Sequence, residues 1–170
     1  MKSNFVQYYV EGEDEEKLVN VLKSDLRVIR PGKVQRLNVV ECEFTNARLI
    51  SLRHKTMVVL IFDTDTSHIE TLNKNLMMLK KCPAISELVT IPQVFNLEDE
   101  LVRSCGIKQA IELLGSKTKK EFKSDLIKCK NLGNKLTGHQ FDINRLWSQK
   151  PQYPYHYIVN QAKKIKLPIE

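Results

Sequence analysis

The sequence predicts an α/β fold: a central parallel sheet of four strands flanked by helices, followed by a C-terminal helical extension. Two observations carry this. Apolar segments of strand length alternate with stretches of helical periodicity over residues 5–91, and strands alternating with helices pair in parallel through crossovers. The most apolar run, Met57-Val-Val-Leu-Ile-Phe62, is six residues long, the mark of a strand covered on both faces.

Each element follows in order. Phe5 to Val10 is rich in aromatic and β-branched residues and reads as the first strand, broken by Glu11 and Gly12. Asp14 to Lys23 carries Leu18, Val19, Val21 and Leu22 on a helical face. Pro31-Gly32 marks a turn, Val34 to Val40 alternates as a second strand, and residues 45–53 form a short helix. The third strand, Met57 to Phe62, stops at Asp63; Ile69, Leu72, Leu76 and Leu79 then recur at helical spacing. Leu88 to Ile91 is the fourth strand, ended by Pro92. Beyond it, residues 98–114, 118–130 and 157–166 read as helices, with a loop or helix start at Ser116 to Lys120. Gln149 to Tyr157, with Pro151 and Pro154 among Tyr153, Tyr155 and Tyr157, reads as an extended strap. The chain divides into an α/β domain, residues 1–105, and a basic helical extension, residues 106–170, packed on it.

The chain has 170 residues and a formal net charge of +7, a length that suits one core without covalent staples. No apolar run reaches the roughly 18 residues needed to span a bilayer, and Met1 to Val10 is too short and polar for a leader. Cys42, Cys82, Cys105 and Cys129 lie far apart, and His54, His68, His139 and His156 are equally scattered, so no zinc spacing exists. Reduced cysteines in a cytoplasmic protein are the expectation. The charge is uneven. Residues 1–100 carry 13 basic and 15 acidic side chains, residues 101–170 carry 14 and 5. A basic surface attracts polyanions, nucleic acid foremost, or simply keeps a protein soluble.

Two acidic clusters sit at strand ends: Glu11-Gly-Glu13-Asp14-Glu15-Glu16 after the first strand and Asp63-Thr64-Asp65 after the third. In a parallel sheet both open onto the carboxyl edge, where sites form. Acids at a helix N-terminus are also favoured by the macrodipole, but two clusters at equivalent ends point to convergence. Converging carboxylates repel unless a cation neutralises them, and oxygen ligands without His or Cys select Mg²⁺ or Mn²⁺. One or two such ions can orient a phosphodiester and activate water. In extended backbone Asp63 and Asp65 point the same way.

Tyr9-Val10-Glu11-Gly12 with Glu15 four positions on resembles the opening motif of Toprim domains, and Leu60-Ile61-Phe62-Asp63-Thr64-Asp65 resembles their DxD strand. The resemblance covers about residues 5–105 and implies a Toprim/Rossmann-like fold. The glycine after the first Glu, with a second acid nearby, is most similar to the OLD-type and RloB-like nuclease branch, which is associated with anti-phage defence in prokaryotes. It implies that Glu11 is an acid–base or metal residue, that Asp63 and Asp65 hold metal, and that Glu15 helps bind a second ion. Val94-Phe-Asn-Leu-Glu-Asp-Glu100 is similar to an Asn/Phe/Glu stretch of RloB-like chains. Thr66, Ser67 and His68 depart from the acids or Gly that often follow the DxD. No GxxxxGK[ST] motif is present, so an ATPase or other defence-complex subunit would be a separate partner.

Lys117, Lys119, Lys120, Lys123, Lys128, Lys130 and Lys135 fall within nineteen residues. Lys120, Lys123 and Lys130 share roughly one helical face, and Phe122, Leu126 and Cys129 another. This face is either solvated surface or a phosphate grip beside the metal site, formed by Lys117, Lys119, Lys120, Lys123 and Lys130; one lysine could stabilise charge on the scissile phosphate. Trp147 and the tyrosines of the strap pack on the body or stack on bases. The expected function is a metal-dependent nuclease. The alternatives are a Toprim nucleic-acid-binding or regulatory subunit without turnover, and a phosphatase of the DxD type with Asp63 as nucleophile, whose motif departs at Ser67.

Overall fold

The structure, a computed structural model, describes residues 5–168. Residues 1–4, where the segment read as too polar for a leader begins, lie outside the described residues. Four strands, β1 (Phe5–Val10), β2 (Lys33–Arg36), β3 (Thr56–Asp63) and β4 (Ile85–Gln93), form one sheet in the order β2-β1-β3-β4, with every pair parallel. The helices are α1 (Glu13–Asn20), α2 (Asn46–Ile50), α3 (Glu70–Lys80), α4 (Leu97–Ser104), α5 (Lys119–Lys128) and α6 (Leu132–Gly138). The α/β class and the parallel four-stranded sheet flanked by helices are as expected.

Alternation along the strands divides the core into two layers. Tyr8, Val10, Val59, Ile61, Val89 and Ile91 face Leu18 and Leu22, Leu97 and Leu101, Phe122 and Leu126, and Leu132 and Leu136. Tyr9, Val58, Leu60 and Phe62 face Leu72, Leu76 and Leu79 of α3, together with Val39, Phe44, Tyr155 and Ile158. The extension therefore buries side chains in both layers.

Several boundaries differ from expectation, each for a physical reason. The first helix continues past Asn20 as a π turn, Val21–Asp25. The second strand stops at Arg36 rather than Val40: the Asn38 carboxamide accepts from the N–H groups of Val40 and Glu41 at 3.1 and 3.3 Å and turns the chain. β4 runs through Pro92, which its position at the sheet edge allows. The helix expected over 98–114 ends at Ser104, because Gly106 N–H donates to the His139 carbonyl and Asp142 N–H to that of Ser104. Only a 3₁₀ turn, Ala110–Leu113, follows. The helix α6 was not expected. The helix expected over 157–166 shrinks to the 3₁₀ turn Ala162–Lys164. The chain before it pairs with the exposed edge of β4: Gln161 N–H donates to the Thr90 carbonyl at 2.9 Å, and the Thr90 hydroxyl to that of Val159 at 2.7 Å. All four cysteines are free thiols. Among the described residues no helix is long and apolar enough to cross a membrane.

Candidate active site

The chain leaves β1 to one side to form β2 and returns on the other to form β3. Their carboxyl ends flank a topological switch point, where parallel sheets open a crevice. Glu11 follows β1 and Asp63 closes β3, and the Glu11 carboxylate accepts from Asp63 N–H at 3.2 Å. The β1–β3 pairing thus brings together two acids 52 positions apart.

Glu15 joins them from the first turn of α1. It is buried, and its Oε2 accepts from Gly12 N–H at 3.0 Å. A Cβ on Gly12 would stand 3.1 Å from Asp14 Oδ1 and 3.3 Å from Glu15 Oε2, so glycine leaves the acids room. Burial pushes the Glu15 carboxyl up to about 9, with a shared hydrogen bond to Asp14 and the charges of Asp14 and Asp63 adding to it. Asp63 is pushed up to about 8, first by burial and then by Glu11, while the Gln93 amide pulls it down. Burial also raises Glu11, against the opposing hydrogen bond from Asp63 N–H.

Asp65 lies beyond the end of β3 and is exposed, close enough for its charge to raise both Glu11 and Asp63. Between them Thr64 turns inward, its hydroxyl donating to the Gln93 carbonyl at 2.7 Å and its N–H to that of Phe95 at 2.8 Å. The strap steadies the loop that follows: Tyr155 Oη shares a hydrogen bond with the Thr66 hydroxyl at 3.0 Å and donates to the His68 carbonyl at 3.2 Å. Trp147 and Tyr155 are buried and pack, whereas Tyr153 and Tyr157 are exposed.

Three participants were not singled out as site residues from the sequence. Glu98, in the first turn of α4, adds its charge to those raising Asp63. Its signal was available, since α4 also starts at the carboxyl edge. Gln93 is fully buried and donates to Asp63 Oδ1 at 2.6 Å. Glu100 is buried deeper, against Arg103. The three acids of Glu98-Asp99-Glu100 thus part: Glu98 faces the site, Asp99 accepts from Phe95 N–H, and Glu100 enters the core.

The lysines part as well. Lys117, Lys119, Lys120, Lys123 and Lys130 are all exposed. α5 ends at Lys128, so Lys130 does not extend the face of Lys120 and Lys123. Lys123 alone of the five is paired to the acidic edge, 3.6 Å from Glu98. Burial works against its charge, but Glu98, Asp14, Glu15 and Asp63 together hold the ammonium above its ordinary range. This follows from the packing of α5 against α1.

Among the described residues no group of three or more His, Cys, Asp or Glu side chains is arranged closely enough to hold a metal ion. The donor chemistry nonetheless suits a hard cation: every donor is an oxygen. The ion pairs among the described residues engage Glu13, Glu16, Glu43, Glu87, Glu98 and Glu100, and none engages Glu11, Glu15, Asp63 or Asp65. Glu15 and Asp63 answer burial and the neighbouring charges by holding their protons more tightly. No family model matches the chain, and no curated protein or solved structure is found similar to it.

Proposed function

We propose that this protein is a divalent-metal-dependent nuclease that hydrolyses phosphodiester bonds in nucleic acid. The observation that carries this reading is the contact of Glu11 with Asp63 at the switch point, with the buried Glu15 close enough to feel the charge of Asp63 and, among the described residues, no lysine or arginine ion-paired to any of the three. Glu11, Glu15, Asp63 and Asp65 would hold Mg²⁺ or Mn²⁺. Such an ion, when bound, supplies neutralisation of the phosphate and a water acidic enough to attack near neutral pH.

The chain's own residues do the rest. Asp63 N–H fixes the Glu11 carboxylate, and the Gln93 amide fixes that of Asp63. Lys123, at the acidic rim, offers its ammonium to a non-bridging phosphate oxygen and counters charge developing there. Lys117, Lys119, Lys120 and Lys130 hold flanking phosphates from exposed positions. A cavity of about 300 Å³ beside Glu98, rimmed by Lys108 and Lys119 and walled by Val102, Ile111 and Phe122, gives a flanking nucleotide room. The Toprim resemblance favours the same reading, and with it a setting in prokaryotic anti-phage defence and an ATPase supplied by another chain.

The test is direct. Purified protein is expected to cut DNA or RNA with Mg²⁺ or Mn²⁺, and Asp63→Ala and Glu11→Ala to abolish cutting while circular dichroism stays native. Cutting that persists in chelator, or in both variants, removes the reading. One observation favours a second reading, a nucleic-acid-binding or regulatory subunit without turnover: the lack of a close three-carboxylate group among the described residues. Salt-sensitive binding with no metal-dependent cleavage, alone or with a partner, would decide for it.

A further inference from the structure

Behind the acidic edge runs a second chain of polar side chains, and it begins in the C-terminal extension. Gln93, the last residue of β4, is the register partner of Asp63 and is completely buried. Its Nε2 donates to Asp63 Oδ1 at 2.6 Å, and its Oε1 accepts from the Trp147 indole N–H at 3.1 Å.

Trp147 is itself clamped. Its backbone is left-handed, φ 52°, uncommon for so bulky a residue. Its N–H donates to Glu100 Oε2 at 2.8 Å, and its carbonyl accepts from Asn160 Nδ2 at 3.0 Å. The other oxygen of Glu100 accepts from Val94 N–H and Arg103 Nη2, each at 3.0 Å.

We infer that Glu100, Trp147 and Gln93 form a positioning relay that determines which oxygen of Asp63 faces the crevice, so that the extension sets the geometry of the acidic site. The inference deepens the proposed function and rests on the metal role given there to Asp63. The relay has a direction because an indole N–H can only donate. It therefore admits one orientation of the Gln93 amide, oxygen toward Trp147 and NH₂ toward Asp63. Asp63 Oδ1 is thereby committed as an acceptor, and Oδ2 is left for a cation. A rotated amide would set its NH₂ against the indole N–H, donor against donor at 3.1 Å. In a buried, low-dielectric setting that polarity is strongly enforced.

A hydrogen-bond partner that orients a metal-binding carboxylate contributes about 10- to 100-fold to metal affinity. Trp147→Phe removes the donor and keeps an aromatic ring, and Gln93→Met keeps the length and removes both ends of the amide. Each is expected to weaken Mn²⁺ binding by that factor in calorimetry. The double variant should be no weaker than the worse single, because both act through one contact. If Trp147→Phe fails to fold, Gln93→Met and a second measurement carry the test. The chain has a single tryptophan, so its indole N–H is a unique NMR resonance. Without metal, Asp63→Ala should shift that resonance in the native background and leave it unmoved in a Gln93→Met background. Additive losses in the double variant, or an indole resonance indifferent to Asp63→Ala, would overturn the relay while leaving Mn²⁺ binding at Asp63 intact. A responsive indole in a protein that binds no Mn²⁺ would overturn the metal reading and leave the relay standing.

Discussion

The carboxyl edge of the sheet and the outer face of α5 carry opposite charge and are built in opposite ways. Glu11, Glu15 and Asp63 are half-buried or buried, and each is held by a hydrogen bond to a backbone N–H or a buried amide. Lys117, Lys119, Lys120 and Lys130 stand in solvent. A buried acid has one position and one set of partners, so removing it leaves a hole that nothing fills. An exposed lysine has many rotamers, and its neighbours can replace it. The two regions should therefore respond to mutation on different scales: nearly all-or-none at the edge, and graded on the helix.

The largest expected effect follows. Asp63→Ala should reduce cleavage on the order of a thousandfold or more, with substrate binding little changed, as measured by single-turnover kinetics beside a filter-binding assay. An effect no larger than that of a lysine variant would break the comparison.

The next effect lies in stability. The folded protein keeps a proton on Asp63 up to about pH 8, whereas the unfolded chain releases it near 4. Between those values the native state binds more protons. From Asp63 alone, metal-free stability should therefore fall as pH rises from about 4 to 8. Glu15, raised to about 9, acts in the same direction and extends the fall to about pH 9, above which stability levels off. Asp63→Asn keeps an acceptor for Gln93 and removes the charge, so it should stabilise the metal-free protein at pH 8 by about 1–3 kcal/mol. Mg²⁺ should raise the wild-type Tm more at pH 8 than at pH 5, because protons compete for its ligands. Thermal melts over pH 4–9, with and without Mg²⁺, check both.

Legibility in the sequence follows the same division. Glu11 and Asp63 were readable because apolar runs fix where β1 and β3 end, and parallel pairing puts those ends together. Gln93 was hidden because Pro92 reads as a strand stop, and only the edge position of β4 lets the strand pass through it. Glu98 was masked by two neighbouring acids that a helix start explains equally well. Trp147 lies in a stretch without periodicity, held by contacts to residues 47 and 54 positions away. Among the lysines, spacing gave a face but not a rank. Lys123 is distinguished only by how α5 docks on α1, which is a matter of tertiary packing.

That rank predicts a smaller effect. Lys123→Ala should lower kcat/KM by about ten- to a hundredfold, partly in kcat, because its ammonium faces the acids. Lys120→Ala should weaken nucleic-acid binding only about two- to fivefold. It should also lower the slope of log affinity against log salt by about 0.7–0.9, the share of one phosphate contact. Equal effects of the two would mean that α5 acts as a uniform basic surface.

The smallest expected effect tests how rigid the edge is. Gly12 has φ −144° and ψ −169°, extended backbone open to any residue, so alanine there brings no backbone strain. Its methyl would meet Asp14 Oδ1 at 3.1 Å and Glu15 Oε2 at 3.3 Å, and both are ends of side chains that can give a few tenths of an ångström. Lower entropy in the unfolded chain stabilises by about 0.4–1 kcal/mol, against a similar cost of crowding, so the net change in stability should stay within about 0.5 kcal/mol. Glu15 cannot yield without loosening its bond to Gly12 N–H. Gly12→Ala should therefore leave Tm nearly unchanged while weakening Mn²⁺ binding about two- to fivefold, on the low side of outer-contact effects. Unchanged affinity would show that Glu15 adapts as freely as a surface lysine, and the buried acids would then owe their scale to charge alone rather than to fixed position.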